Sequence, residues 1–439
     1  MSATAKPHNK KLATFAWALW DWAEQPYPTL MQTFIFPVYL TGAVASGINH
    51  ADEALGWSTA IAGLLLALIA PVLGRRSDEN GRRKFWMLVN TAILILVTAL
   101  SFFVEPRPEY FLFGLVLYGI GSVIQESAFI NYYAMLKSVT TESNIGRISG
   151  YAWGMGYIGG IVLLVLSLIG FVLPKGHYWF GLTGENSINI RTIFVLAAAW
   201  ILLFTIPLMI WVPEIPKKNT GKSVSVLDSY RQLFGQLKTL RNQAPETFKF
   251  LISSAIYRDG LAGVFTFGAV LGTLAFGFNT TSIIFYGIAA NIVAAIGAAI
   301  GGRLDDVLGS RTVILISLIG LILSGSAIFI FAGNGQSTFW IFGLLLTLFV
   351  GPAQASSRTF VARFTPHGRE GEVFGLYQTT GRAVSFLSGT MWAVSISLAN
   401  TFVGGHKNSV YGIWGIIAIL IAGTILLSRV HPKPQVLES

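Results

Sequence analysis

Gly74-Arg75-Arg76-Ser77-Asp78-Glu79-Asn80-Gly81-Arg82-Arg83-Lys84 and, about half a chain length later, Gly302-Arg303-Leu304-Asp305-Asp306-Val307-Leu308-Gly309-Ser310-Arg311 are two copies of one pattern, G-x-x-x-D-x-x-G-x-R. Each stands between two apolar runs. The pattern suits a tight connection between helices. Glycine allows positive φ and close backbone approach. An Asp accepts hydrogen bonds at a neighbouring helix N-terminus, where the dipole favours negative charge. Arg side chains hold one face of a membrane. A single copy reads equally as an ordinary charged loop; two copies in register point to a duplicated unit.

A spanning helix takes about 20 mostly apolar residues. Twelve runs fit: 13–44, 55–73, 85–104, 110–136, 148–173, 191–212, 248–274, 280–302, 312–333, 339–358, 373–399 and 409–429. The expected fold is an all-α membrane protein of twelve transmembrane helices in two six-helix bundles, 1–212 and 248–439, joined by a cytoplasmic linker, 213–247. In that linker Leu227, Tyr230, Phe234, Leu237 and Leu240 recur at helical spacing, with Arg231, Lys238 and Arg241 between them. This predicts an amphipathic helix on the inner membrane surface. The first run is too long for one straight helix, and Pro26, Pro28 and Pro37 predict that it is broken.

Composition excludes most other classes. The 439 residues are 53% hydrophobic and 11% charged, where a soluble domain carries roughly 25% charge. The net charge of +10 is concentrated in short connections. Placing both termini in the cytoplasm puts 24 Lys and Arg inside and 4 outside, which orients the chain in a cell (inner) membrane and leaves no need for a nucleic-acid partner. The polar first ten residues and the run that follows show no cleavable signal peptide. There is no cysteine, and all six histidines fall in loops or termini. With no P-loop and no metal-binding His pair, neither an enzyme nor a cofactor is expected, and the chain is expected to act as a monomer in the lipid bilayer.

The duplicated loop resembles the signature of the major facilitator superfamily. That resemblance implies two bundles alternating between inward- and outward-open states, with substrate near the midplane. It further implies that Asp78 contacts the start of the eleventh helix and Asp306 the start of the fifth, and that Gly74, Gly81, Arg82, Gly302, Gly309 and Arg311 complete the two gate loops. A narrower set of motifs covers nearly the whole chain. These are Trp17-Ala18-Leu19-Trp20-Asp21-Trp22-Ala23 with Tyr27, Arg147-Ile148-Ser149-Gly150 with Gly156-Tyr157-Ile158-Gly159-Gly160, Tyr257-Arg258-Asp259-Gly260, Ser357-Arg358 and Phe374-Gly375-Leu376-Tyr377. Together they resemble the bacterial permeases related to the vacuolar amino-acid effluxers of autophagy. Where that family carries Asn-Ser after Asp-Trp-Ala, this chain has Glu24, Gln25 and Pro26.

Charged side chains inside membrane helices are costly and are functional candidates by default. Six stand out: Asp21, Glu24, Glu126, Arg258, Asp259 and Arg382. Asp21 follows Lys11, and Asp259 follows Lys249, by ten residues, so each sits roughly 15 Å into the bilayer. Asp21 and Glu24 share one helix face. Like charges held close favour protonation of one of them, which suits a proton carrier. An Arg fork suits a carboxylate. Acid on one side and guanidinium on the other suit a zwitterion, although structural ion pairs explain any single residue as well. Gln25, Asn131, Tyr157, Tyr257, Gln354, Tyr377 and Gln378 are polar residues on apolar runs, able either to bind a ligand or to link helices. The glycines of the fifth run, Gly150 to Gly160, read first as close packing; they also resemble the antiporter signature of drug exporters, with Gly156 in place of its proline.

The leading expectation is a proton-coupled secondary transporter of a small polar or zwitterionic solute, an amino acid or short peptide. Export of cationic amphiphiles and a non-transporting membrane sensor remain as alternatives.

Overall fold

The computed structural model describes residues 10–48, 51–80, 82–174, 177–214, 240–242, 244–278, 280–365, 369–403 and 408–431. Every regular element among them is helical. The described residues form two compact units, Met1–Val139 with Met155–Thr220, and Thr140–Gly154 with Gly221–Ser439.

The first unit contains α1 (Lys10–Glu24), α2 (Ala51–Asn80), α3 (Arg83–Leu100), α4 (Phe111–Ala134), the larger part of α5 (Ile145–Ser167) and α6 (Ile188–Trp211). The broken first run is present as expected. After Pro26 the chain opens into π-helical turns at Tyr27–Phe34 and Leu40–Val44. There Ile35 N–H reaches Leu30 O at 3.0 Å and Ala45 N–H reaches Leu40 O at 3.0 Å. The prolines remove the donors that a regular α-helix would need, and the wider turns re-pair the remaining backbone. Leu30, Phe36 and Leu40 of this segment pack with Leu94, Phe171 and Phe194 in the unit's core.

The second unit contains the first ten residues of α5, then α7 (Pro245–Leu274), α8 (Thr280–Leu308), α9 (Ser310–Ile330), α10 (Leu344–Phe364), the pair α11a (Glu370–Ala383) and α11b (Leu387–Phe402), and α12 (Gly412–Ser428). Stacked rings tie α7 to its neighbours: Phe250 on Phe360 at 3.9 Å between centroids and Phe267 on Trp392 at 4.6 Å.

Among the described residues, nine helices are long and apolar enough to cross a membrane. The expected spans at α1, α2 and α7 fall short of that measure for distinct reasons. α1 is only 15 residues long, α2 is apolar among the described residues only over the shorter stretch Trp57–Ala70, and α7 carries Lys249, Arg258 and Asp259. Two of these three helices, α1 and α7, hold four of the six intramembrane charges, Asp21, Glu24, Arg258 and Asp259. Gly81 and the expected amphipathic helix of the linker up to residue 239 lie outside the described residues, as do the surroundings of Gly74 and the side chain of Asp78, and hence the expected contact of Asp78 with the eleventh helix.

Between lipid-facing helices the gain is packing rather than escape from water, so backbone approach decides stability. α5 meets α8 at Gly150 and Gly302. A Cβ on Gly302 would fall 2.6 Å from Gly146 O and 2.8 Å from Gly150 Cα, both rigid backbone atoms. Gly302→Ala is therefore expected to destabilise the protein by about 1–3 kcal/mol, seen as a lower melting temperature in detergent. Gly287→Ala on the same helix, where a Cβ meets nothing within 4 Å, is expected to melt as the parent does.

Candidate functional site

In the first unit, Trp17, Trp20, Glu24 and Tyr27 recur at three- and four-residue spacing and so share a face. That face runs antiparallel to Tyr132, Phe129, Gln125 and Gly121 of α4. Trp17 stacks on Tyr132 at 4.4 Å, and its indole donates to Tyr132 O at 3.1 Å. Trp20 meets Phe129 edge-on at 5.5 Å. Glu24 accepts a hydrogen bond from Gln125 Nε2 at Oε1. The Tyr27 hydroxyl fills the space that the absent side chain of Gly121 leaves open. Glu24 is thus one polar rung in an otherwise aromatic seam. It is 0% exposed and Gln125 is 3% exposed. Glu24 Oε2 and Gln125 Oε1 have no hydrogen-bond partner among the described residues.

Asp21 and Gln25 turn toward α5. A Cβ on Gly156 would lie 3.5 Å from both Asp21 Cβ and Gln25 Oε1, and Gly160 packs on Gln25 and Thr29. Tyr157 is within electrostatic reach of Asp21, and half-buried Glu126 within reach of Glu24. The fold therefore gathers Asp21, Glu24, Gln25, Glu126 and Tyr157. Asn131 is buried with its Oδ1 unpartnered among the described residues, but six residues beyond Gln125 it lies on another face of α4. Gln125 was missed by reading the charges alone; its signal was an amide on an apolar helix at the spacing of Phe129 and Tyr132.

In the second unit, four consecutive residues of α7 address four elements. Tyr257 shares a hydrogen bond with Ser357 of α10 at 2.6 Å. Arg258 lies over the Tyr377 ring at 3.8 Å and donates to Tyr377 O at 3.0 Å and Gln378 Oε1 at 2.8 Å, both in α11a. Asp259 accepts from Ser388 N–H at Oδ2, 2.5 Å, and from the Ser388 hydroxyl at Oδ1, 3.2 Å, in the first turn of α11b. Gly260 packs on Leu420 of α12. Arg258 and Asp259 therefore grip the two sides of the break in helix 11. The cation holds the segment whose C-terminus carries negative dipole, and the carboxylate holds the segment whose N-terminus carries positive dipole. Half-buried Arg382 lies at the same break, its carbonyl accepting from Ser385 N–H at 3.3 Å. Gln354 is half-buried one turn before Ser357.

Arg358, which charge counting assigned to the cytoplasmic side, is 1% exposed. It donates to the Ser149 hydroxyl at 2.9 Å and to Ser149 O at 2.6 Å. In the second copy of the repeated loop, Asp306 accepts from Gly146 N–H at 2.7 Å and Arg147 N–H at 2.9 Å, at the start of α5. This is the contact that the loop signature implied. Arg363 bonds Asp306 at 3.1 Å and also pairs with buried Asp305. Gly309, between α8 and α9, has φ 81°, a conformation that a side chain would strain. Arg311 donates to Ser428 O at 2.7 Å. Arg82 is exposed just before α3. α3 itself is capped by Glu214, which accepts from Lys84 N–H at 3.0 Å and Phe85 N–H at 3.1 Å, a role not legible in the sequence.

Asp259→Ala is expected to leave Ser388 N–H without its acceptor inside the bundle, at a cost of about 1–3 kcal/mol, against about 0.5–1.5 kcal/mol for Ser388→Ala, which keeps the backbone bond. The chain is free of cysteine, so a lone Ser385→Cys reports on the break. Maleimide labelling there is expected to quicken in Asp259→Ala and to stay near the parent rate in Ser388→Ala.

The family described as Vacuole effluxer Atg22 like matches residues 55–433. The uncharacterized MFS-type transporter YxiO of Bacillus subtilis (strain 168) is 26% identical over 420 residues, 94% of this chain and 94% of that protein. Autophagy-related protein 22 of Cryptococcus neoformans var. neoformans serotype D (strain B-3501A) is 22% identical over 329 residues, 71% of this chain and 56% of that protein. The chain thus spans little more than half the length of this fungal relative. The solved fucose:proton symporter FucP of E. coli shares a TM-score of 0.68 at 12% identity, covering 97% of this chain and 98% of that one; a likeness at that identity speaks for fold. The fold is that of the major facilitator superfamily, whose members here are transporters and not enzymes. The chain belongs to the Vacuole effluxer Atg22 like family, as a major facilitator permease.

Proposed function

We propose that this chain moves a small polar or zwitterionic solute, an amino acid or short peptide, by alternating access coupled to protons. The observation that carries the reading is Glu24, a fully buried carboxyl group whose side-chain partner is a neutral amide. It makes no ion pair among the described residues. Leaving a lone negative charge there is expensive, so a proton that comes and goes is the economical counter-charge. Asp21 and Glu126 stand within its field. Arg258 supports the zwitterionic class: it uses two of its five N–H donors on α11a and retains others for a carboxylate.

In this reading residues 1–212 and 248–439 are the two six-helix bundles that alternate, and 213–247 tethers them. The protein sits in the cell membrane with both termini cytoplasmic. The Asp306 cap on α5 acts as a gate contact that must open once per cycle. The family description, an effluxer, supports transport, and the resemblance to bacterial relatives of the vacuolar amino-acid effluxers supports the amino-acid class.

Proteoliposomes offer the test, with labelled amino acids, dipeptides and cationic drugs as a panel. One proton per solute is expected to give about tenfold accumulation for a gradient of one pH unit. A protonophore is expected to abolish it, and Glu24→Gln to make flux indifferent to the gradient. Absence of flux for every compound, or flux that ignores both gradient and substitution, would refute the reading.

A further inference from the structure

Glu24 and Gln125 are the polar rung of the seam between α1 and α4, with the Trp20–Phe129 rung on one side and the Tyr27–Gly121 rung on the other. Both side chains are sealed, at 0% and 3% exposure. One oxygen of each, Glu24 Oε2 and Gln125 Oε1, is unpartnered among the described residues. We propose that Gln125 is a positioning residue for the proton on Glu24: its carboxamide, by a half-turn about its last bond, donates N–H to the carboxylate and accepts O–H from the carboxylic acid. The proposal rests on the reading of Glu24 as the proton-carrying group.

A carboxylate only accepts, whereas a carboxylic acid has one hydrogen to donate. A Lys or Arg in place of Gln125 would satisfy the first state alone. An apolar residue would satisfy neither and leave a buried polar group unpaired, at full desolvation cost. A carboxamide presents a donor and an acceptor on one planar group, so both charge states keep a hydrogen bond without moving either helix. In the observed arrangement the amide nitrogen faces Glu24, and the amide oxygen, unpartnered, is the atom that the half-turn brings round. The proton binds one oxygen of Glu24 and leaves from it; Gln125 neither gains nor loses one.

Among the described residues, the groups that act on Glu24 supply no counter-charge. On its own segment Glu24 faces Asp21 and Tyr27, and on α4 Glu126. Tyr118 of α4 acts on Tyr27, and Tyr157 of α5 acts on Asp21. α6 brings the rings of Trp200 and Phe204 to Trp22. Among the described residues, the titratable groups that act on the rung are acids and phenols.

Infrared difference spectroscopy of the whole protein in lipid, titrated without solute, reads the rung directly. The parent is expected to show a hydrogen-bonded carboxyl band that vanishes as pH rises, with an amide band shifting in the same step. Glu24→Gln is expected to lose both. In Gln125→Met the carboxyl band is expected to move to its unbonded position and persist through the range where the parent titrates, while pH-driven accumulation falls about tenfold or more, the equivalent of one pH unit. Because that variant leaves Glu24 unsatisfied, the exchanged pair Glu24→Gln with Gln125→Glu is measured beside it; it keeps one acid and one amide on the rung, and its titrating band is expected to return. A Gln125→Met protein that titrates like the parent, or an exchanged pair that is folded yet silent, overturns the role of Gln125 and leaves the Glu24 reading standing. Accumulation driven by pH that survives Glu24→Gln overturns both.

Discussion

Hydrocarbon offers no partner to a polar group, so each N–H, C=O and charge inside the bilayer must be matched within the protein. The hydroxyls of the helices follow this constraint. Thr91, Thr98, Ser127, Ser317 and Thr359 each turn back to the carbonyl four residues earlier, at 2.7–3.0 Å. Helix ends obey it through carboxylates: Glu214 on α3, Asp306 on α5 and Asp259 on α11b each take up N–H groups that a regular helix leaves open. Arg358, enclosed by α5 and α10, gives its donors to the backbone and hydroxyl of Ser149.

The same constraint shapes the two places where helices depart from regularity. The prolines after Glu24 cannot donate, and the chain responds with wider turns in which the pairing shifts by one residue. At the break between α11a and α11b, the adjacent opposite charges of Arg258 and Asp259 hold one segment each. A break of this kind inside a membrane survives only where protein supplies the missing partners, and broken helices are where transporters place polar chemistry.

Against this background the Glu24–Gln125 rung is an exception in kind. Its neighbours along the seam are stacked and edge-on aromatic rings, although the Trp20 indole N–H is itself without a partner among the described residues. An acid and an amide at the same place give up stability unless fully paired, and two of their oxygens remain open. Glycines on α5 let the polar edge of α1 approach closely enough that Asp21 and Gln25 share the same neighbourhood.

The duplicated loop, the apolar runs and the charge asymmetry were enough to read a helical membrane protein of the major facilitator type, because hydrophobic length and charge are local properties of the chain. Glycine repeats and the Tyr257-Arg258-Asp259-Gly260 run likewise announced close packing and buried charge. Partners were not local and could not be read. Only the tertiary structure paired Glu24 with Gln125, set Asp259 on Ser388 and Arg258 on Tyr377, buried Arg358 and gave α3 its cap from Glu214. The Glu24, Arg258, Asp259 and Glu214 pairings join residues 101 to 130 positions apart, and Arg358 reaches Ser149 across 209. Which face of one helix meets which face of another is decided by packing across the bundle, and hydrophobic periodicity, which knows only its own helix, does not carry it.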